Sequence, residues 1–256
     1  MSYKSEKIIP YKTAESKRVQ VEHMFNGIAS RYDSLNSWLS LGMDMGWRKT
    51  ALRKLKDLPT DNLLDIATGT GDFAILANDI LKPTKITGVD ISDGMMDVGR
   101  VKVKKVKLDS IISFENQDCA DMSFSDATFD AAIAAFGVRN FADIDKSFEE
   151  VVRVLNPGGV FMFLELTTPK HQPVKFFYNV YSNSFIPFVT RLLSKDKRAY
   201  DYLPESIKAF PQGEEMVQIL KKSGFETVES WKLMLGVCTI YLAKKPATEI
   251  WKCMGW

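Results

Sequence analysis

The sequence predicts a doubly wound α/β fold with a mostly parallel sheet. An apolar strand pattern over 62–67 stops at the turn Gly69-Thr70-Gly71, and a helical pattern follows over 72–81. Strand-like and helical patterns then alternate along the chain, which is typical of βαβ units with parallel strands. The chain has 256 residues, which is enough for one such domain with additions.

The later elements continue this alternation. A strand is predicted over 85–90, and a helix capped by Asp93 extends to about 106. The remaining elements are strands at 110–116 and 129–135, a helix at 143–155 and a strand at 159–166. Near the end, two strand patterns are joined at Leu235-Gly236, which suits a hairpin and predicts an antiparallel edge; they cover 225–233 and 237–243.

The residues before the first strand predict an N-terminal arm and a helical cap. The arm at 1–14 is polar and is interpreted as loose, and amphipathic helices are predicted from near Ala14 and from Trp47. Trp38 and Trp47 are interpreted as packing residues of the cap rather than ligand contacts. The chain therefore divides into a cap, an α/β domain and a tail without an assigned role: 1–58, 59–245 and 246–256.

The first turn predicts a nucleoside site. Gly69 and Gly71 let the backbone turn tightly and let a ligand approach it closely. The helix that follows directs unpaired N–H groups to the same place, at the sheet edge where open α/β sheets bind ligands. Asp90 ends the second predicted strand, where a carboxylate can accept hydrogen bonds from both ribose hydroxyls.

Two cofactors fit this turn. Gly69-x-Gly71-x-x-Ala74 satisfies the dinucleotide fingerprint of NAD-binding proteins. Asp65 and Asp72 beside it would repel a pyrophosphate, but they suit the ammonium and sulfonium of S-adenosylmethionine (SAM). The sequence thus favours SAM over NAD, and a turn that binds nothing is the third alternative.

Two further loops at the same edge carry polar residues. After the third strand, the Asp118 carboxylate can accept from an adenine amino group, and the next backbone N–H, that of Cys119, can donate to a ring nitrogen. The loop after the fourth strand lacks the Asn/Asp-Pro-Pro-aromatic pattern of enzymes that methylate exocyclic amines, which argues against DNA bases and protein glutamine as substrates. It places Arg139 and Asn140 near the methyl acceptor instead.

Composition excludes several other classes of function. There are 34 basic and 32 acidic residues, so the net charge of +2 requires no nucleic-acid partner. The basic run at 100–107 alternates with valines but has no aromatic residues between its lysines, so a solvated helix face is favoured over a nucleic-acid stripe. Three scattered cysteines and two histidines predict no metal site. No signal peptide or membrane-spanning run is visible, and a cytoplasmic location is expected.

Four stretches in this order resemble the ubiquinone/menaquinone biosynthesis C-methyltransferase family, over roughly residues 15–245. They are Tyr32 to Asn36 with Leu39-Ser40 and Trp47, the turn Ala67 to Asp72, Phe136 to Asn140, and Arg153 to Gly159 running to Glu165. The resemblance implies a seven-stranded sheet of the class I SAM-dependent methyltransferase type. It also implies methyl transfer from SAM to a ring carbon of a polyprenylated quinol, and demethylmenaquinol is the expected substrate.

The candidate site combines the residues argued from the turn, the loops and the aromatic segment with those that the resemblance implies, which are Thr70, Asp90, Asp118 and Cys119 for the cofactor and Arg139 and Asn140 near the reacting ring. The candidate cofactor contacts are Asp65, Thr68, Gly69, Thr70, Gly71, Asp90, Ile91, Asp118, Cys119 and Ala135. The candidate catalytic residues are Arg139 and Asn140, and the candidate substrate contacts are Tyr32, Phe136, Phe177 and Tyr181. This chain departs from the pattern at Asp44, where members often carry His, and at Ala135 and Thr167, where many carry Ser. The change at Ala135 removes one hydroxyl contact to the cofactor.

The expected reaction needs a phenolate, because a ring carbon becomes nucleophilic when the neighbouring hydroxyl loses its proton. Arg139 is a poor base, since a guanidinium stays protonated in proteins. It is therefore expected to stabilise the phenolate, while the proton leaves through water or a carboxylate. The competing interpretation of Arg139 is a salt bridge at the sheet edge.

The segment 169–211 is unusually aromatic, with Phe176, Phe177 and Tyr181 at helical spacing. It is expected to be a lid over the quinol and its prenyl tail that also touches the membrane, and a core helix is the alternative. A homodimer is left open. The other functions considered are a methyltransferase for another hydrophobic phenol or sterol, and a non-catalytic nucleotide-binding protein.

Overall fold

The computed structural model describes residues 3–11, 13–181, 184 and 198–248, with backbone alone at 177, 179 and 198–201. A seven-stranded sheet lies at its centre, in the order β3-β2-β1-β4-β5-β7-β6. The strands are β1 (Asn62–Ile66), β2 (Lys85–Asp90), β3 (Ile112–Asn116), β4 (Phe129–Ala135), β5 (Leu155–Leu166), β6 (Thr227–Leu233) and β7 (Cys238–Lys244). Only β7 runs antiparallel to its neighbours, so the predicted fold class and its reversed last strand are confirmed.

Helices cover both faces of this sheet. They are α1 (Lys17–Ile28), α2 (Tyr32–Ser40), α3 (Met43–Arg53), α4 (Asp72–Leu81), α5 (Asp93–Lys105), α6 (Ile144–Val154), α7 (Val174–Val180), α8 (Arg198–Ala209) and α9 (Glu214–Lys222). One core contains residues of α6 and α9, and the other contains residues of α3, α4 and α5. Successive β1 residues alternate between them, since Leu63 belongs to one core and Leu64 to the other. Burial on both faces explains why the central strands are nearly continuous apolar runs.

Several predicted boundaries shift. Ser92, not Asp93, caps α5, because the Ser92 side chain accepts a hydrogen bond from the Met95 N–H. Likewise α1 begins at Lys17 rather than near Ala14, and α3 begins at Met43 rather than at Trp47. The strand expected from 159 starts at Leu155, since Leu155 pairs with Phe129 across an irregular register.

The N-terminal arm is packed rather than loose. The Tyr3 hydroxyl donates to Asp145 on α6 at 2.6 Å. Behind it, the buried Lys17 ammonium donates to the Ser5 carbonyl at 2.8 Å and to the Arg139 carbonyl at 3.3 Å. Burial lowers the pKa of Lys17 to about 8. The arm therefore supports the loop after β4.

The cap helices contribute Val21, Tyr32 and Trp47 to the walls of the pockets at the carboxyl edge of the sheet. Trp47 packs in the core, edge-on to Phe136 with ring centroids 6.3 Å apart. Trp38 is 61% exposed, so its interpretation as a packing residue is wrong. Within the part of the chain that the structure describes, no helix has both the length and the apolar character needed to cross a bilayer.

Candidate active site

The first turn closes onto the end of β2. The Gly69 N–H donates to one carboxylate oxygen of Asp90 at 2.9 Å, and the Ser92 N–H donates to the other at 2.9 Å. Burial raises the pKa of Asp90 to about 6, although these backbone donors oppose the shift. A carboxylate held in this way has a fixed orientation and still has lone pairs for a ligand.

Asp65, at the end of β1, is a second buried carboxylate. The Thr68 hydroxyl donates to its Oδ2 at 2.6 Å, whereas its Oδ1 has no hydrogen-bond partner among the described residues. Burial raises the pKa of Asp65 to about 7. A buried carboxylate oxygen without a donor is costly to the fold and is a ready acceptor for a cationic ligand group.

Three neighbouring spaces that share lining residues open at this edge. The first, the nucleoside pocket, is lined by residues that include Gly69, Asp90, Ile91, Asp118, Cys119, Ala135 and Asn140. The second, the polar pocket, is lined by Asp65, Thr68, Gly69, Thr70 and their neighbours. The third, the apolar cavity, has a volume of about 280 Å³ and is lined mostly by aromatic and aliphatic residues, with Asp44, Arg48 and Arg139 among them. Tyr32 lines all three spaces.

Two residues with strained backbones lie in the walls of these pockets. Ala67 and Phe136 have left-handed backbones, with φ of 52° and 60°, at the ends of β1 and β4. Gly137 is required beside them, because a Cβ there would lie 2.5 Å from that of Ala67. Strain of this kind is typical of functional sites and holds Phe136 between the nucleoside pocket and the apolar cavity.

Arg139 lines the apolar cavity and also forms the salt bridge considered from the sequence. Its Nη1 donates to Oε1 of the fully buried Glu165 at 2.7 Å, and its backbone N–H donates to Oε2 at 3.2 Å. Burial alone would lower the pKa of Arg139, but attraction by Glu165 raises it overall, so the guanidinium stays charged. Asn140 lines the nucleoside pocket instead, and its Oδ1 accepts from the Tyr202 hydroxyl at 3.0 Å.

With this geometry in place, the chain can be compared with known proteins. It matches the model of the ubiE/COQ5 methyltransferase family over residues 12–245. The chain belongs to this family. This membership confirms the predicted methyltransferase identity and SAM as its methyl donor.

Relatives of this methyltransferase cover nearly its whole length. Demethylmenaquinone methyltransferase of Bacteroides fragilis is 51% identical over 245 residues, covering 96% of this chain and 100% of that protein. The protein of the same name from Porphyromonas gingivalis is 46% identical, over 94% of this chain and 98% of that protein. Phosphoethanolamine N-methyltransferase 2 of Haemonchus contortus, solved with S-adenosyl-L-methionine, has a TM-score of 0.64 at 18% identity, over 92% of this chain and 61% of that one. That last likeness shows the shared fold alone.

Asp72 is paired within the protein, which differs from the role that the sequence predicts for it. Asp72 does not present a free charge to the methyltransferase's polar pocket, because the Lys102 ammonium on α5 pairs with it. Lys102 also donates to Asp33 of the cap at 2.8 Å, and Asp33 accepts from the Thr70 hydroxyl at 2.5 Å. The carboxylates left to attract a cation are Asp65 and Asp90.

Asp118 and Cys119 line the nucleoside pocket, whereas Tyr181 lines the apolar cavity. Asp118 lines the nucleoside pocket, and its carboxylate accepts from Arg18 of α1 at 2.8 Å. Burial raises the pKa of Cys119 to about 12, so its thiol stays neutral. Tyr181 lines the apolar cavity, and its hydroxyl donates to the Leu39 carbonyl. The Phe177 side chain lies outside the described residues.

Sequence reasoning missed Arg48 and the cap contacts of Arg18 and Asp33. Arg48 lines both the polar pocket and the apolar cavity, and its guanidinium lies 5.2 Å from the centroid of the Phe136 ring. Its spacing of four residues from Asp44 was the available signal, since such pairs meet on one face of a helix, but the helix predicted from Trp47 left Asp44 outside it. Nothing local could indicate the partners of Arg18 and Asp33, which lie on other elements.

Proposed function

We propose that the protein transfers the methyl group of SAM to a ring carbon of demethylmenaquinol. The observation that carries the proposal is an apolar cavity with a buried cation, Arg139, beside a nucleoside pocket. An aromatic ring with a long apolar tail suits such a cavity, whose volume is near the lower end of ligand sites, roughly 300 Å³. Relatives that match over nearly the whole chain carry the name of this activity.

The residues present fit SAM. We assign the ribose hydroxyls to Asp90, the adenine amino group to Asp118 and the ammonium to Asp65, whose Oδ1 lacks a partner among the described residues. When bound, SAM supplies an electrophilic methyl group on a sulfonium. The protein fixes the acceptors for the cofactor before it binds, which lowers the ordering cost of binding.

Asp90→Ala is expected to weaken SAM binding by about tenfold or more. Each charge-assisted hydrogen bond to a ribose hydroxyl contributes roughly 1.5–3 kcal/mol, and the substitution also releases the Gly69 N–H. The measurement is the dissociation constant by titration calorimetry, with circular dichroism to establish folding. A folded variant with the wild-type constant would contradict the assignment.

For the substrate, we assign Arg139 to the phenolate oxygen. Its guanidinium is buried, charged and oriented by Glu165, so it needs no rearrangement when charge develops on the ring oxygen. Tyr32 and Phe136 line the cavity next to the cofactor spaces and are assigned to the ring. Contact between Phe177 and the prenyl tail stays a prediction.

The function is tested with purified protein, SAM and a short-tailed demethylmenaquinol kept reduced under anaerobic conditions. The expected product is the quinol with one added methyl group, detected by mass spectrometry, together with S-adenosylhomocysteine. The matched control substrate is the same quinol already methylated, which should give no product. Turnover of a simple phenol or a sterol in preference to the demethylmenaquinol would support the alternative methyltransferase, and no turnover of any acceptor would contradict the proposal.

We also propose that the mouth of the apolar cavity touches the lipid surface that holds the tailed quinol. Three segments that contribute residues to the cavity wall also carry exposed apolar residues, here called the rim: Trp38, Leu41, Met45, Phe176, Val180, Met234 and Leu235. Leu41 and Leu235 are 63% and 77% exposed and have left-handed backbones, with φ of 52° and 56°. Exposure and strain both cost folding free energy, which points to a function for these side chains.

The rim is tested with the double variant Leu41→Asn, Leu235→Asn. Asparagine tolerates a left-handed backbone, so the fold should be kept while apolar surface is lost. Co-sedimentation with vesicles of phosphatidylethanolamine and phosphatidylglycerol is expected to fall about tenfold or more, because a buried leucine contributes roughly 1.5–3 kcal/mol. The control is Val101→Asn on α5, where valine is 69% exposed away from the cavity. Equal binding by both variants would contradict membrane contact through the rim.

A further inference from the structure

A buried ion pair lies in the wall of the apolar cavity and has no part in the roles assigned so far. Asp44 and Arg48 lie one turn apart on α3, and both line the cavity. Arg48 Nη1 donates to Asp44 Oδ2, and the Ser40 hydroxyl donates to Asp44 Oδ1 at 2.7 Å. The two residues are 8% and 6% exposed.

Stability does not account for this pair. Two residues on one helix gain little from each other in folding, and a buried ion pair is often no more stabilising than apolar residues of the same size. The pair is also incompletely satisfied, because Arg48 Nε is buried without a hydrogen-bond partner among the described residues. An unsatisfied charged pair in an otherwise apolar wall is better explained by a ligand.

The position of the pair relates it to the reacting ring. Arg48 packs over the Phe136 ring, and Arg139 donates to the Phe136 carbonyl, so both guanidiniums contact one residue. Phe136 in turn lines the nucleoside pocket. The walls of the cavity therefore offer a ring one carboxylate, Asp44, and two cations, and one of these cations, Arg48, also lines the polar pocket.

We propose that Asp44 accepts the hydroxyl proton of the quinol and is a catalytic residue; this assignment rests on the proposed function. The quinol O–H bond breaks and its proton moves to Asp44. The pair of Arg48 and ionised Asp44 becomes a pair of Arg48 and phenolate, with Arg139 as the second cation. Bond formation between the ring carbon and the methyl group breaks the methyl–sulfur bond and leaves a neutral dienone together with S-adenosylhomocysteine. The dienone loses its ring proton to water and becomes a phenolate again, and Asp44 returns its proton to the phenolate oxygen. One proton is released per turnover, which balances the loss of the sulfonium charge.

The proton transfer leaves the number of charges in the cavity unchanged, which explains why the proton acceptor, Asp44, is paired with Arg48. In a low-dielectric site, making a new isolated charge would cost far more than exchanging one partner of an existing pair. Among the described residues, the polar and charged groups that contact Asp44 or line the cavity with it are Asn36 and Ser40 of α2, Arg48 of α3, Arg139 after β4, and the tyrosines Tyr32, Tyr178 and Tyr181. None of them is a carboxylate, so among these groups Asp44 alone can take the proton as an anion.

The test compares wild type with Asp44→Asn, which keeps the shape and can still accept from Ser40. At neutral pH, kcat is expected to fall about 10²-fold, which is the lower range for loss of a general base. As the pH rises, hydroxide replaces the carboxylate as the base, so the difference in kcat between wild type and Asp44→Asn should shrink about tenfold per pH unit. The dissociation constant for SAM should stay unchanged. The matched control is Glu150→Gln, which breaks an ion pair with Arg153 on α6 and should leave kcat and its pH profile unchanged.

Asp44→His is the second variant, since it supplies a base without a carboxylate and keeps the proposal falsifiable if Asp44→Asn does not fold. It is expected to recover most of the turnover, with an acid limb near the ordinary pKa of histidine, about 6.5. Asp44→Asn with wild-type kcat, a loss that does not depend on pH, or an inactive folded Asp44→His would each overturn the assignment. A wild-type protein that methylates no quinol would instead overturn the proposed function, so the two failures are distinguishable.

Discussion

Arg139→Ala is expected to lower turnover by about 10²–10³ and to leave SAM affinity nearly unchanged. Loss of one preorganised donor at a developing oxyanion has this size of effect. Arg139 lines the apolar cavity, whereas Asn140 lines the nucleoside pocket, so the loss should appear in kcat rather than in cofactor binding. The measurements are kcat with saturating SAM and the calorimetric dissociation constant for SAM.

The effect of Arg139→Ala on stability can be separated from its effect on turnover. Removing Arg139 leaves Glu165 fully buried without its cation, which should cost about 3–5 kcal/mol of stability. The double variant Arg139→Ala, Glu165→Gln removes both charges and is expected to regain much of the melting temperature but none of the turnover. If turnover returned together with stability, Arg139 would be a structural cation and its assignment to the phenolate would be wrong.

The parts of the fold that the sequence predicted are those set by local patterns. The strand at 85–90 and the helix at 72–81 have the predicted bounds, because a buried run or an amphipathic period is visible within each segment. The early start of β5 depends on Phe129, which lies opposite Leu155 on another strand. The arm was interpreted as loose because its polar residues find partners only in the folded protein, such as Asp145 for Tyr3.

In the candidate site, too, some residues could be predicted from local patterns and others could not. Gly69 and Asp90 could be identified because a turn and the end of the next strand form a recognisable motif, and their hydrogen bond follows from parallel pairing. The ion pairs that hold the cap could not be identified. Arg18 and Asp118 are 100 residues apart in sequence, and Lys102 and Asp33 are 69 apart. Surface charges have no pattern that indicates their partner, so Asp72 was interpreted as free when Lys102 neutralises it.

Affinity for SAM is expected to fall as the pH drops below 7. Burial raises the pKa of Asp65 to about 7 and that of Asp90 to about 6, and both carboxylates must be ionised to bind the ammonium and the ribose as proposed. Well below its pKa, each protonated carboxyl lowers the affinity about tenfold per pH unit. Asp65 is about half ionised at pH 7, so it alone should weaken binding about 50-fold from pH 7 to pH 5. Calorimetric titration over this range measures the effect.

Stability without ligand should change in the opposite direction. Because its folded pKa lies above its unfolded value, Asp65 stabilises the ligand-free protein fully below the unfolded pKa, and this contribution is lost as the pH rises towards 7. The rise in melting temperature on adding SAM should therefore be larger at about pH 8 than at about pH 5.5. Asp65→Asn should remove most of this dependence, whereas Asp97→Asn, at an exposed acid on α5, should keep it. An affinity that stays constant across the range in the wild-type protein would contradict the assignment of the ammonium to an Asp65 carboxylate that titrates near pH 7.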